Sequence, residues 1–207
     1  MDKPTLRNIA KALTKSDFVV FTNPFSINLG GIRTKDNGSN AFNDYLFAFY
    51  YDMEGVIHGE VIPGTTDAGL FYRNNPINPK GTVILQHDVQ HRGVYQYQDP
   101  SRNGQQRGHR GRLALRQIKP MKYWRDSNRD NYLDFGPEEE FSNSLTNVHY
   151  MGKFGKVVGK WSAGCQGSSE KELNKLFNVC HKQIMAGLGD VFSYTLLHED
   201  TFKKLLL

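Results

Sequence analysis

Cysteine is scarce in this chain: Cys165 and Cys180 are the only two in 207 residues. Two cysteines are too few for a disulfide framework. Long hydrophobic runs are missing as well. No stretch approaches the ~20 apolar residues of a membrane span, and mean hydropathy is −0.57, which reads as soluble. The first residues, Met1-Asp2-Lys3-Pro4-Thr5-Leu6, have neither the apolar segment nor the cleavage site of a secretory signal. The expectation is a protein made in the cytoplasm, which something else must deliver if it acts outside a cell. Internal repeats, low-complexity tracts and linker-like segments are absent too. The organisation expected is one domain over 1–207, with 1–16 as an N-terminal helical appendage. These absences exclude membrane-spanning, collagen-like, coiled-coil, disordered and disulfide-rich classes.

What is present is a chain long enough to bury roughly 70% of its unfolded surface. Gly 20, Tyr 10 and Phe 13 favour strands and turns over a helix bundle. Lys+Arg 26 against Asp+Glu 21 leaves a net charge of +5. A mild positive field suits an anionic partner such as nucleic acid, a membrane surface or bacterial cell wall, without choosing among them. A merely solvated basic surface accounts for the same charge.

Leu6, Ile9, Ala10 and Leu13 have helical spacing, with Asp2 or Thr5 as a cap. Phe18-Val19-Val20-Phe21 reads as a short buried strand. Asn23 to Asn43 reads as loop, with turn signals at Asn23-Pro24, Gly30-Gly31 and Asp36-Asn37-Gly38. Strands are expected at Tyr45–Asp52, its hairpin partner Gly55–Pro63, Thr82–Leu85, Gly93–Tyr95, Leu113–Leu115, Met121–Trp124 and Val191–Leu197. One strong helix interrupts them. Leu173, Leu176, Phe177, Cys180 and Ile184 share a face, Ser169 and Glu172 form a capping box, and Gly187 and Gly189 end it. The fold class expected is β-rich α+β.

Asn147-Val148-His149-Tyr150 followed by Lys160-Trp161-Ser162-Ala163-Gly164-Cys165-Gln166 is the most informative text. A cysteine nucleophile needs a base, an oxyanion hole and access. His149 can be the base, its ring held by an adjacent carbonyl or side chain. Ser162-Ala163-Gly164-Cys165 is a small-residue turn whose backbone N–H groups at Gly164 and Cys165 can face a developing oxyanion. A helix beginning near Ser168 or Ser169 would bring its N-terminus close to Cys165 and lower the thiol pKa. The plain alternative is Cys165 as a small buried hydrophobe and His149 as a surface strand residue. Cys180, on the apolar stripe of the helix, is read as core.

His149 upstream of Ser162-Ala163-Gly164-Cys165 resembles the signature of the L,D-transpeptidase catalytic domain, the YkuD-type family. The wider chain resembles phage and prophage proteins with YkuD-like ends. Gly31-Ile32-Arg33, Pro63-Gly64-Thr65-Thr66-Asp67, Lys80-Gly81-Thr82-Val83-Ile84-Leu85, Trp124 to Asp130 and Gly159 to Gln166 carry that likeness. Three departures accompany it. Ala163 stands where the family has His, and Gly167 where it has Asn or Arg. Twelve residues separate His149 from Ser162, about two fewer than usual.

The resemblance implies a β-sandwich with one main helix following Cys165. It also implies cysteine-dependent acyl transfer on peptidoglycan stem peptides, without a cofactor. Cys165 would attack the carbonyl of an L,D peptide bond. His149 would take the thiol proton, and the backbone carbonyl of Tyr150 would orient His149. Gly164, Ala163 and Cys165 would supply oxyanion N–H groups, and Trp161 and Ser162 would contact substrate. Cleavage by a phage-type lytic enzyme, acting on the wall after release or from a virion, is the favoured outcome. The alternatives are a virion or tail structural protein that keeps the fold with little or no activity, and a transpeptidase forming cross-links. Partners expected are peptidoglycan and other virion proteins; a nucleic-acid module is motivated by charge alone.

Other signals count for less. His87 and His91, four apart, lie in turn-rich text without the Glu of a zinc-protease motif. Asp126, Asn128, Asp130 and Asp134 are spaced like the start of a Ca²⁺ loop, but Asn131 replaces its glycine and Pro137 its bidentate Glu. An Asx-rich turn is preferred there, and no metal is expected. Arg102, Arg107, Arg110, Arg112, Arg116, Lys119, Lys122 and Arg125 form a basic stretch read as a solvated face or a groove for anionic stem peptides. Glu138-Glu139-Glu140 is read as a solvated loop.

Overall fold

The fold was analysed in a computed structural model that describes residues 1–207 apart from 37, 39, 102–107 and 154–156, and apart from the side chains of 139–142. In chain order the elements are α1 (Leu6–Lys15), β1 (Asn28–Arg33), β2 (Asp44–Tyr51), β3 (Ile57–Gly64), α2 (Leu70–Asn74), β4 (Thr82–Leu85) and β5 (Val89–Gln98). β6 (Ala114–Gln117), β7 (Met121–Asp126), β8 (Glu138–Ser142), β9 (Val148–Tyr150), β10 (Gln166–Ser168), α3 (Glu170–Met185), β11 (Val191–His198) and α4 (Glu199–Leu206) follow. The β-rich α+β class is as expected.

Eight strands form one mixed sheet in the order β10-β9-β6-β5-β11-β1-β2-β3, and β4-β7-β8 form a smaller antiparallel sheet. The large sheet curls until its two edges meet. Thr65, just past β3, pairs with Gly167 of β10 through N–H···O=C bonds of 2.8 and 3.0 Å. This near-closure protects edges that would otherwise be open to foreign strands. It differs from an open two-sheet sandwich.

Two cores result. Inside the curl, Leu29, Leu46, Ile62, Val94, Leu115, Val148 and Leu196 pack with the apolar stripe of α3, which contributes Leu173, Leu176, Phe177 and Cys180. Outside it, α1 and α4 cover Ile32, Phe47, Phe49 and Leu197 with Ile9, Leu13 and Phe202. β2 is therefore buried on both faces, and its DYLFAFYY text is nearly continuous rather than alternating. α1 is built into the second core through Ile9 and Leu13 and is not an appendage.

Three local readings are corrected. Phe18-Val19-Val20-Phe21 is not a strand. The Gln90 amide bonds both N–H and C=O of Val19, and the Asn28 amide does the same for Phe21, so side chains replace a ladder. The stretch read as loop from Asn23 to Asn43 contains β1, buried throughout. Gly30-Gly31 marks close packing there, not a turn: a Cβ on Gly30 would lie 2.1 Å from Thr195 O and 2.5 Å from the Phe47 ring. Glu138 to Glu140 belong to β8 rather than to a loop. Asn37 of the third turn signal lies outside the described residues, as do Arg102 and Arg107 of the basic stretch.

α3 starts as its sequence predicts, with the Ser169 hydroxyl accepting from Glu172 N–H at 3.4 Å. The reciprocal half of the box is not made, because the Glu172 carboxylate takes Lys175 at 2.9 Å. Gly187 and Gly189 follow the helix with φ of 74° and 89°. α2 and α4 carry no sequence signal strong enough to have been anticipated.

Candidate active site

β9 and β10 are short parallel neighbours with Gly167 opposite His149. Val148 is buried in the inner core, so strand alternation turns His149 to the other side. Gln166 N–H bonds Asn147 O at 2.9 Å, which places the preceding residue, Cys165, beside Asn147.

The orientation of His149 is determined. Its Nδ1 lies 2.9 Å from Tyr150 O. A carbonyl can only accept, so Nδ1 carries the hydrogen, and the Nε2 lone pair of the neutral ring is left without a partner. The ring is 3% exposed. It is covered by His109, whose ring stacks on it at 3.9 Å between centroids and 10° between planes.

Asn147 joins this stack to the thiol. Its backbone N–H donates to Cys165 Sγ at 3.4 Å. Its side-chain oxygen accepts from Gln117 N–H at 3.0 Å, leaving the NH₂ end 3.2 Å from His109 Nδ1. That nitrogen of His109 therefore accepts, and its hydrogen sits on Nε2. Beneath, the Tyr123 hydroxyl meets Thr146 Oγ1 at 2.6 Å and Gln117 Oε1 at 3.1 Å, bracing the backbone that leads into Asn147. His109 and Asn147 were assigned no role by the sequence; His109 lies 40 positions from His149, and nothing local marks it.

His109 is presented by a tight turn. His109 N–H bonds Arg112 O at 2.8 Å and Arg112 N–H bonds His109 O at 3.1 Å. Arg110 and Gly111 between them both have positive φ, 52° and 74°. This is the geometry of a type I′ hairpin, in which Asn or Gly is usual at the place Arg110 takes.

Cys165 is half-buried, and its thiol also faces Leu145 O at 3.8 Å. Among the described residues no hydrogen bond joins the sulfur to His149. Burial pushes the thiol up to about 11, against the opposing pull of the Asn147 N–H and the Arg110 charge. Burial, then His109 and Arg110, push His149 down to about 3, with the Tyr150 carbonyl opposing. The resting pair is neutral thiol and neutral imidazole. The expectation of a helix terminus lowering the thiol is corrected, because β10 stands between Cys165 and α3.

The Ser162–Cys165 turn is internally bonded. Gly164 N–H donates to Ser162 Oγ at 3.0 Å, and Ser162 Oγ donates to Cys165 O at 2.8 Å. The Gly164 N–H is thus already spent, and Ser162, buried, spends its hydroxyl inside the turn. The N–H groups of Ala163 and Cys165 carry no hydrogen bond among the described residues. Gly164 has φ of 133°, and a Cβ there would lie 2.4 Å from Val83 Cγ2, so glycine is required. A cavity of about 220 Å³ opens beside Ala163, lined also by Tyr72, Thr82, Val83, Arg125 and Ser144. On the imidazole side a smaller cavity of about 30 Å³ is lined by His109, Arg110, Arg112, His149, Tyr150 and Trp161. Trp161 is 45% exposed there.

The remaining candidates lie elsewhere. Asp126 is buried and pairs with Arg73 at 2.6 Å, while Asn128 Oδ1 accepts from Asp130 N–H and Asp130 Oδ1 from Tyr132 N–H in the Asx-turn manner. Among the described residues no three His, Cys, Asp or Glu side chains are placed to hold a metal ion, and no helix is long and apolar enough to cross a membrane. His87 packs against Trp124, Phe135 and His198, and His91 is buried on β5. Cys180 is fully buried in the inner core. Comparisons with protein-family models, curated proteins and solved structures find no match.

Proposed function

We propose that this chain is a cysteine-dependent acyl-transfer enzyme of the L,D-transpeptidase type, cleaving peptidoglycan stem peptides as a phage-type lytic protein. The observation that carries the reading is the orientation of His149. Its Nδ1–H is held by Tyr150 O, so the buried Nε2 lone pair is left bare, two residues along from Asn147, whose backbone N–H holds the Cys165 sulfur. A neutral ring with its hydrogen on Nδ1 and a bare Nε2 is the tautomer that a general base needs.

In the proposed reaction the S–H proton of Cys165 passes to His149 Nε2 as the sulfur bonds the scissile carbonyl carbon. The neutral resting pair makes that transfer concerted with attack. The free N–H groups of Ala163 and Cys165 receive the carbonyl oxygen. The C–N bond then breaks, and His149 returns the proton to the leaving amine. Water completes cleavage; an acceptor amine in its place would form a cross-link. The cations Arg110 and Arg112 beside the site favour stem peptides, which carry several carboxylates.

A second reading, a virion or tail protein that keeps the fold without turnover, is favoured by one observation: the raised thiol with no bond to His149. The test is a digest of purified sacculi and soluble muropeptides, read by mass spectrometry. Wild type should release L,D-cleaved products. Cys165→Ala should abolish them while melting like wild type, and His149→Gln should lower them by about 10²–10⁴. A wild type that is inert but incorporated into particles would establish the second reading. Activity surviving in Cys165→Ala would overturn the first.

A further inference from the structure

A bulge in β5 builds a second polar site that shares no residue with the first. Tyr95 pairs with Phe192 and His91 with Tyr194, so Arg92, Gly93 and Val94 of β5 stand opposite Ser193 alone. The bulge takes Gly93 N–H out of the ladder, and Ser193 Oγ accepts it at 3.0 Å. Gly93 has φ of 59°, and Lys119 Nζ, from the turn between β6 and β7, lies 3.4 Å from where its Cβ would stand. Arg92 is held 5.3 Å over the Phe21 ring. Phe21 is itself pinned at N–H and C=O by the Asn28 amide.

A guanidinium, an ammonium and a hydroxyl therefore gather around Gly93, and all three residues line one cavity of about 400 Å³. A neighbouring cavity of about 560 Å³ shares Arg92 and Lys119 and adds Lys122. Among the described residues no carboxylate pairs with Arg92 or Lys119, and the Ser193 hydroxyl hydrogen has no acceptor. None of these residues lines the cavities at Ala163 and His149.

Unpaired cations in a concave site call for an anion. Donors arriving from β5, β11 and the β6–β7 turn suit the tetrahedral oxygens of phosphate better than a planar carboxylate. Two cavities that meet at the same two cations suit a chain of charges better than a single ion. A nucleic acid would need aromatic faces for its bases. Here the face of Phe21 is taken by Arg92, and Phe192 is buried.

We propose that the paired cavities bind a base-free phosphodiester chain, a polyol phosphate, with Arg92, Lys119 and Ser193 on one phosphate and Lys122 toward the next. The inference is independent of the acyl-transfer reading, because it uses none of that site's residues.

The probes are poly(glycerol phosphate), glycerol 3-phosphate, polyglutamate of matching charge and a single-stranded oligonucleotide, each titrated into the whole protein by calorimetry. Poly(glycerol phosphate) should bind most tightly, with log K falling against log salt concentration at a slope of about −2 for three cations. Arg92→Gln and Lys119→Gln, at exposed positions, should melt like wild type. Each should weaken binding about tenfold and reduce the slope by about 0.7. Arg7→Gln, which removes an exposed charge on α1, should leave binding within about twofold of wild type. No binding of the polymer, or binding that survives Arg92→Gln and Lys119→Gln together, overturns the proposal. Equal affinity for polyglutamate, or an equal loss in Arg7→Gln, would show general charge attraction in its place. Equal affinity for glycerol 3-phosphate would refute the chain, and equal or tighter binding of the oligonucleotide would make the surface a nucleic-acid site.

Discussion

The state of the Cys165 thiol has a measurable signature. With its pKa pushed up to about 11 by burial, the thiol is ionised to about one part in ten thousand at pH 7. An ordinary free cysteine, near 8.5, would be ionised to about three parts in a hundred, and a cysteine in a stable imidazolium pair almost completely. Only the thiolate alkylates. Alkylation of Cys165 by iodoacetamide should therefore rise about tenfold per pH unit from 7 to 10, without levelling off. Peptide-resolved mass spectrometry reads this directly, with Cys180, fully buried in the core, as an internal control that stays unreacted in the folded protein. Arg110→Asn removes the nearby charge that lowers Cys165, so its profile should move to still higher pH. A rate that plateaus below pH 8 would refute the neutral-pair description and show a stable ion pair. A rate no slower than that of free cysteine would refute the burial argument itself.

Three further outcomes are expected. Stability should fall in acid: His149 and His87, pushed down to about 3, and His91, pushed down to about 4, stay neutral in the fold, whereas the unfolded chain protonates near 6.5. Their contribution is complete above pH 6.5 and is lost as pH falls toward 4, approaching three protons, or about 4 kcal/mol per pH unit; melting points that do not change between pH 7 and 4 would contradict it. Gly167→Ala would put a Cβ 2.2 Å from His149 O. It should cost several kcal/mol, on the order of 2–4, and reduce activity, read by denaturant melts and the muropeptide digest, whereas a neutral effect would show that the β9–β10 pairing is not tight. Leu176→Ala, in the stripe of α3 facing the inner core, should destabilise by about 2–5 kcal/mol without changing the pH profile of Cys165 alkylation.

Much of the architecture was written locally. α3 followed from a repeating apolar face, the Ser169 cap and the glycines beyond Met185, because a helix is closed by contacts three and four residues apart. Most strands followed from short β-branched and aromatic runs between turn residues. The setting of His149 by the Tyr150 carbonyl concerns adjacent residues and was equally accessible. Local text misled where one residue type serves two ends. Gly30-Gly31 looked like a turn but allows Phe47 and Thr195 to approach β1. Phe18 to Phe21 looked like a strand but is held by amides from Asn28 and Gln90. The small residues of Ser162–Cys165 suggested an open row of N–H donors, yet Ser162 had already claimed that of Gly164.

By itself, then, the sequence determined the class, the main helix, most of the strands and the two residues, His149 and Cys165, on which chemistry could rest. Tertiary structure alone decided that β3 and β10 meet through Thr65 and Gly167, some hundred residues apart. It alone decided that a turn carrying His109 and Arg110 closes over the imidazole, and that burial keeps the Cys165 thiol neutral against the pull of the Asn147 N–H. The physical reason is one of range. Periodicity and capping act within a turn or two of chain, whereas desolvation, ring stacking and sheet closure depend on segments whose approach is set by the burial of both cores together.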